Sequence, residues 1–240
     1  MRGYVDLHCH WIAGIDDGAK TPEDGVAMLR ALGQIGFDRV VATPHMRPGL
    51  FDNTRDPSRA AFQRMLPHLA SDLPQVDLST EHYFDDVVFG RIMDGDALPY
   101  PGERAILLEF YESDFPISID RRLADIRVKK QLIPVIAHPE RYQRIWRDPD
   151  VLERLIDGGA AALLDTAALV GKYGRKPKQS AEALLERGLY HAACSDAHRV
   201  SDLAEVAAGI RRIEELHGPE EVDFLLRSGP LELLSGRIPE

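Results

Sequence analysis

Five of the nine histidines and four carboxylates sit where short apolar runs of the sequence end. His8 and His10 follow the first run, with Asp17 a few residues on. His45 follows the second, Glu81 the third, Glu109 the fourth, His138 the fifth, and Asp196 with His198 the seventh. On an extended segment residues two apart point the same way, so His8 and His10 present both imidazoles to one side while Cys9 faces the other; Asp196 and His198 repeat the spacing. Imidazole nitrogen with carboxylate oxygen, and no thiolate, suits Mn, Fe or Zn in a catalytic rather than a structural site. Nine donors exceed what one ion uses, which points to two or three divalent ions sharing a carboxylate, as in multinuclear phosphoester hydrolases. Arg141, three residues after His138, and Arg47, two after His45, place guanidinium forks beside the set, where they would bind phosphate oxygens. The competing reading for Arg141 is an ion pair to Glu140 or Glu109. Asp165, which ends the sixth run, either joins the set or caps the next segment. His68 and His217 read as surface or helix-end residues, His82 as pointing away from its neighbour Glu81, and His191 stays open.

Positioning nine such residues on one face is a matter of element order. The apolar runs 4–7, 39–43, 76–79, 105–108, 133–137, 161–164 and 190–193 are brief, nearly continuously apolar and bounded by turn residues, as parallel strands buried on both faces should be. Longer amphipathic segments alternate with them. Thr21-Pro22-Glu23-Asp24 opens one helix, Asp56-Pro57 another over 57–70, and Asp148-Pro149 a third over 149–157; Gly33, Gly36, Gly158, Gly159 and Gly188 mark helix ends. Neither Gly-x-Gly-x-x-Gly nor Gly-x-x-x-x-Gly-Lys-Ser/Thr follows a strand, which favours a βα barrel over an open nucleotide-binding sheet. The strand ends of such a barrel form its active face.

Composition closes off other functions. The 240 residues carry a formal charge of −10, which disfavours nucleic acid held on a generic basic surface; the strip Arg121, Arg122, Arg127, Lys129 and Lys130 reads as a solvated helix face. No apolar run approaches membrane-spanning length, and no signal peptide opens the chain, so a cytoplasmic location without membrane insertion is expected. Cys9 and Cys194 read as small buried hydrophobes, because a thiol phosphatase loop would need Arg where Ile15 and Val200 stand. A serine hydrolase lacks its Gly-x-Ser-x-Gly elbow.

Six segments carry a resemblance: Asp6-Leu7-His8-Cys9-His10, Gly14-Ile15-Asp16-Asp17-Gly18-Ala19-Lys20-Thr21, Ala42-Thr43-Pro44-His45, Leu108-Glu109-Phe110, Ala137-His138-Pro139-Glu140-Arg141-Tyr142 and Ser195-Asp196-Ala197-His198. Together they resemble the PHP (polymerase and histidinol phosphatase) superfamily, and within it the manganese-dependent protein-tyrosine phosphatases of bacterial capsule and exopolysaccharide operons. The resemblance implies an α/β fold, a distorted (β/α)7 TIM-like barrel forming one domain over residues 1–240. It implies up to three ions, manganese first with iron or zinc as alternatives. His8 and His10 would bind the first ion with Glu109 and Asp196, Glu109 bridging to a second; Asp17, His45, Glu81, His138 and His198 would complete the others. Arg141 would hold the substrate phosphate, Arg47 would assist, and His198 or His138 would protonate the leaving oxygen. The implied activity is hydrolysis of protein phosphotyrosine by a metal-activated hydroxide without a phosphoenzyme, in capsular or exopolysaccharide regulation, with a phosphotyrosine protein such as a bacterial tyrosine autokinase as partner. A pocket around Phe51, Phe110 and Tyr142 would favour the long tyrosyl side chain.

The competing activities are a histidinol-phosphate or other small-metabolite phosphatase, a metal-dependent nuclease, and a non-catalytic phosphotyrosine-binding module. Two segments depart from the family pattern: Ser79-Thr80-Glu81-His82 stands where Gly-Gln-Glu-Ile is usual, and Asp165-Thr166-Ala167-Ala168-Leu169-Val170-Gly171 where Asn precedes Ser-Leu-x-Gly. Two or three divalent ions would offset the acidity to roughly −6 to −4, making the site itself attractive to anions.

Overall fold

A computed structural model describes residues 2–239; of the expected span 1–240, Met1 and Glu240 lie outside the described residues. Every one of the seven apolar runs forms strand: β1 (Tyr4–Cys9), β2 (Phe37–Ala42), β3 (His45–Arg47), β4 (Phe51–Asp52), β5 (Gln75–Leu78), β6 (Glu81–Tyr83), β7 (Ala105–Glu109), β8 (Ile133–Ala137), β9 (Ala161–Asp165) and β10 (Ala192–Cys194). Ten strands arise from seven runs because the second and third strands resume after a break, as β3 and β6, beyond the expected runs 39–43 and 76–79, and the short β4 is added. Pro44, which has no N–H to give to a ladder, separates β2 from β3, and Ser79-Thr80 separates β5 from β6. The added β4 pairs antiparallel with β3; every other pairing is parallel.

Those two interruptions distort the barrel. The lower halves form a three-stranded sheet β1-β2-β5, while the upper halves β3 and β6 join a seven-stranded sheet, β10-β9-β8-β7-β6-β3-β4. The ring closes between the exits of β1 and β10, where Asp196 N donates to His8 O and His10 N donates to Ala197 O, both at 2.9 Å. Thr43 N to Cys9 O and Ser79 N to Ala42 O keep the upper and lower parts in register.

The helices are α1 (Pro22–Ile35), α2 (Arg55–Met65), α3 (Asp86–Asp94), α4 (Ile119–Lys130), α5 (Gln143–Arg147), α6 (Asp150–Asp157), α7 (Arg175–Glu186), α8 (Leu203–His217), α9 (Pro219–Asp223) and α10 (Gly229–Leu234). Thr21 caps α1 through a reciprocal capping box with Asp24, as its sequence implies. The second helix is shorter than expected and starts before Asp56, with Thr54 at its cap position. Gly33 does not end α1 but lies within it; the chain leaves the helix at Gly36, whose φ of 123° needs glycine. Four of the five residues of the basic strip on α4 are committed internally: Arg122 pairs with Asp86, Lys129 with Asp125, Arg127 donates to Gly159 O and Lys130 to Met93 O, while Arg121 is exposed.

Two apolar clusters divide along strand alternation. Leu107, Val135, Leu163 and Cys194 fill the barrel with Val5 and Leu7. Leu108, Ile136, Leu164 and Ala193 face the helices, meeting Leu29, Ile126, Leu184 and Ile210. Glu109 and Asp165 continue the inward alternation of β7 and β9, which aims them into the mouth of the barrel. Among the described residues no helix is long and apolar enough to cross a membrane.

One contact fixes α8 against the strand ends. Gly209 lies so close to the Thr166 carbonyl that an added Cβ would collide with backbone. Gly209→Ala is therefore expected to cost about 2–3 kcal/mol of stability by overpacking, read as a lowered urea midpoint with an unchanged slope.

Candidate metal centre

All nine sequence-derived donors converge at one end of the barrel, at or beyond the carboxyl ends of β1, β2, β5, β7, β8 and β10, with His45 and Glu81 as the first residues of β3 and β6. Four overlapping groups have ligand atoms within 4.8 Å of one another: His10, Asp17, His45 and His198; His8, His10 and Glu81; His8, His138 and Asp196; and His45, Glu81 and Glu109. These groups use the nine donors, and among the described residues no other His, Cys, Asp or Glu enters one. Glu81 is the hub. Its oxygens lie 3.1 Å from His8 Nε2, 3.5 Å from His10 Nε2, 2.8 Å from His45 Nδ1 and 3.1 Å from His138 Nε2. Glu109, expected to bridge from His8 and His10, instead approaches only His45, at 3.7 Å. The break between β5 and β6 explains the difference, because it brings Glu81 across to β3 and under the His-x-His pair.

Local backbone geometry aims these side chains. A register shift between Asp6 and Cys9 interrupts the alternation of β1 and turns His8 and His10 inward. His138 and Asp196 stand at φ 33° and 43°, a left-handed conformation that costs a non-glycine residue and that clusters at functional sites. Asp196 and His198 thus reach the cluster through a turn rather than through the extended alternation their spacing suggested.

A further ring of residues, not singled out from sequence, orients the imidazoles. His10 Nδ1 donates to Asp16 Oδ2 at 2.8 Å, and the same carboxylate accepts from Gly18 N and His45 N. His8 Nδ1 lies 2.6 Å from Thr43 Oγ1. Both rings therefore keep Nε2 free to face the cluster, the usual arrangement behind a metal-ligating histidine. The signal was present in the Asp16-Asp17 pair and in Ala-Thr-Pro-His, where the residue beside each donor is its support.

The donors suit cations better than they suit one another. His8 Nε2, His10 Nε2, His45 Nδ1, Glu81 Oε2 and Glu109 Oε2 are buried without a hydrogen-bond partner, close to their neighbours but misaligned for bonding. Such orphaned atoms are costly unless something else satisfies them. Burial alone would raise Glu81 and Asp196, yet His8 and His45 around the first, and His8 and His10 around the second, hold both well below the carboxylate range. Glu109 is left over, pushed up to about 8 by burial and by the Glu81 charge. Asp17 is lowered by hydrogen bonds from His198 and His45. Nitrogen and oxygen donors with no thiolate, an uncompensated carboxylate and several partnerless atoms fit two or three hard-to-borderline divalent ions.

A cleft of roughly 270 Å³ opens over the cluster, and Arg47, Tyr83, Phe110, Glu112 and Arg141 complete its wall. Arg141 pairs with neither Glu140 nor Glu109: its Nη1 donates to Asp196 Oδ2 at 2.7 Å and its guanidinium stacks on Tyr173 at 4.6 Å. Arg47 lies 4.0 Å over the Tyr83 ring. Phe51 stacks on His45, and Phe110 reaches the cleft, but Tyr142 is buried behind it, its hydroxyl donating to Ala137 O and accepting from Phe110 N. Tyr83 takes the place expected of Tyr142.

Asp165 caps the following turn by accepting from Ala167 N and stays outside the four donor groups. His82 is spent on structure, Nδ1 donating to Leu107 O and Nε2 accepting from Leu98 N, and His191 accepts from Ala162 N. Cys9 and Cys194 are buried and free.

Comparison with known proteins shows the family. Residues 4–235 match the protein family described as capsular polysaccharide synthesis, CpsB/CapC. The tyrosine-protein phosphatase YwqE of Bacillus subtilis is 32% identical over 201 residues, 82% of this chain and 78% of that protein. The tyrosine-protein phosphatase CpsB of Streptococcus pneumoniae is 26% identical over 204 residues, 82% of this chain and 83% of that one. A crystal structure from the pair YwqE of B. subtilis and CpsB of S. pneumoniae, metal-dependent tyrosine phosphatases, superposes with a TM-score of 0.89 at 28% identity, covering 98% and 96% of the two chains. The phosphotriesterase homology protein of Escherichia coli shares the fold, with a TM-score of 0.60 at 15% identity over 97% and 99% of the chains.

Two outcomes follow from the orienting residues. Asp16→Asn leaves one acceptor oxygen for three N–H groups, so Mn²⁺ affinity should fall about 10–100-fold in calorimetric titration, with circular dichroism unchanged. Glu140, wholly buried and accepting from Asp165 N and Tyr190 OH, is pushed up to about 8 by burial and then by the Asp165 charge. Between its ordinary value of 4.5 and about 8 the native state keeps a proton that the unfolded chain has released, so stability falls as pH rises through that window. Glu140→Gln removes this loss. Its urea stability relative to wild type should climb between pH 5 and 8, and a pH-independent difference would contradict the assignment.

Proposed function

Because the chain belongs to the CpsB/CapC family of capsular polysaccharide synthesis, a metal-dependent tyrosine phosphatase group within the PHP fold, we propose that it hydrolyses phosphotyrosine on proteins. The observation that carries this reading is the convergence of nine His, Asp and Glu donors, seven of which line a single cleft together with Arg141 while His8 and His10 lie buried beneath it. The proposal extends to one PHP phosphatase domain over residues 1–240. It includes a cytoplasmic location, with which two free buried cysteines are consistent. A phosphotyrosine protein such as a bacterial tyrosine autokinase is the partner that fits capsular regulation.

His8, His10, Asp17, His45, Glu81, Glu109, His138, Asp196 and His198 would hold two or three divalent ions, manganese first. When bound, such ions supply Lewis acidity toward phosphoryl oxygens and make water nucleophilic near neutral pH. Arg141 binds the phosphate: Asp196 anchors one arm of its fork and Tyr173 backs its plane, so little side-chain entropy remains to be lost. Arg47, stacked on Tyr83, presents a second cation at the mouth. Phosphotyrosine carries its charge at the end of a long aromatic group, which suits an anion site recessed beneath aromatic side chains.

Two imidazoles compete as proton donor to the departing tyrosyl oxygen. Burial and the Arg141 charge push His138 down to about 4, and its Nε2 faces Glu81. His198 lies at the cleft with about 21% of its side chain exposed. Burial lowers it, but hydrogen bonding to Asp17 outweighs this and raises it to about 9. In the metal-free cluster His198 is thus the more basic of the two rings: it serves as a ligand where an ion takes its Nε2, and as proton donor at neutral pH only where that nitrogen is left unbound.

The test is turnover by chelated protein reloaded with Mn²⁺, on a phosphotyrosine peptide, a phosphoserine peptide, histidinol phosphate and single-stranded DNA. Activity should require the metal and favour the phosphotyrosine peptide. Arg141→Ala should lower kcat/KM about 10²–10³-fold, and His138→Ala or Asp196→Ala should abolish p-nitrophenyl phosphate turnover with the fold intact. Full activity in either of the last two would sink the assignment.

A further inference from the structure

We propose that a groove beside the cleft, floored by Tyr111, Phe115 and Ile117, binds the polypeptide flanking the phosphotyrosine and selects an apolar residue accompanied by Lys or Arg; this rests on the phosphotyrosine phosphatase reading above. The groove encloses about 420 Å³ and is built by the chain segments that leave β6 and β7. Ile117 is 89% exposed and Tyr111 50%, a concentration of accessible apolar surface next to an active site. Phe84 and Phe115 form a rigid base beneath them, each packed edge-on against Phe110 at 5.4 and 5.0 Å.

The groove is continuous with the catalytic cleft through one aromatic pair. Tyr111 meets Tyr83 edge-on at 4.8 Å, and Tyr83 in turn carries Arg47 on its face. Tyr83 and Arg47 line the cleft while Tyr111 lines the groove. A chain whose phosphate rests at Arg141 therefore has a path over the Tyr83–Tyr111 pair onto the apolar floor.

Charge decides which residues accompany the apolar one. Asp85, Asp86 and Asp114 stand on the rim against a single cation, Arg122, and that arginine is already paired with Asp86 at 2.6 Å and lies over Phe89. An acidic rim around an apolar floor complements a Leu-like side chain next to Lys or Arg, and repels an acidic flank.

The experiment uses the full Mn²⁺-loaded chain with three substrates. These are p-nitrophenyl phosphate, a phosphotyrosine peptide with Leu and Lys within four residues on either side, and its counterpart with Ser and Gln there. Wild type should show a KM about tenfold lower for the Leu/Lys peptide, with similar kcat. Ile117→Asp and Asp114→Lys should each raise that KM toward the Ser/Gln value and leave turnover of p-nitrophenyl phosphate unchanged. Equal KM values for the two peptides in wild type, or a preference that both variants retain, would overturn the groove. A chain that turns over none of the three substrates overturns the phosphatase reading, and the groove with it.

Discussion

A buried carboxylate, Glu81, sits within contact distance of four imidazoles, and the need to compensate its charge organises the strand ends around it. Taking a carboxylate out of water is tolerable only when it is paired or coordinated. Here the compensation is shared among His8, His10, His45 and His138, each delivered by a different position on the rim except for the adjacent His-x-His pair. The balance is incomplete without cations: Glu109 is held up to about 8, and several donor atoms have no partner. A set of groups that cannot satisfy itself but can satisfy divalent ions is the physical basis of a metal centre, and it fits the metal-dependent family to which the chain belongs.

The distortion of the barrel serves that centre. An undisturbed ring of parallel strands would keep each strand end beside its own neighbours. Interrupting the second and third strands at Pro44 and at Ser79-Thr80 lets the upper segments shift into a second sheet, carrying His45 and Glu81 together toward β7. The left-handed residues His138 and Asp196 turn two further donors inward at a cost in local conformational energy. Both still donate their N–H to the neighbouring strand, His138 to Leu163 O and Asp196 to His8 O, so the left-handed turn costs no ladder hydrogen bond.

Around this core the wall is cationic and aromatic in pairs: Arg141 on Tyr173, Arg47 on Tyr83. Each ring limits the freedom of its guanidinium and leaves N–H groups for an anion. An acidic protein of net charge −10 can in this way present a locally attractive site for a phosphate monoester, because two arginines, joined by any divalent ions the donors would hold, set the field at the cleft rather than the distant surface. The basic strip of α4 takes no comparable part, four of its five residues being tied to Asp86, Asp125, Gly159 and Met93.

The sequence by itself determined the seven strand runs, their alternation with helices, and which nine His, Asp and Glu residues come together at one end of the barrel, because each depends on local rules: apolar runs bounded by turn residues, and a polar side chain placed just beyond them. It also determined that Cys9 and Cys194 would pack as small buried hydrophobes, from the loop chemistry they lack. It did not determine which carboxylate is the hub. The choice of Glu81 over Glu109 follows from the offset of β6 against β3, a long-range register that no local pattern encodes. Nor could it reveal Asp16 and Thr43 as supports, Tyr83 in place of Tyr142, or the partner of Arg141 among Asp196, Glu109 and Glu140. Those outcomes turn on a few ångströms between residues far apart in the sequence, 55 positions for Arg141 and Asp196, and only closure of the barrel fixes such distances.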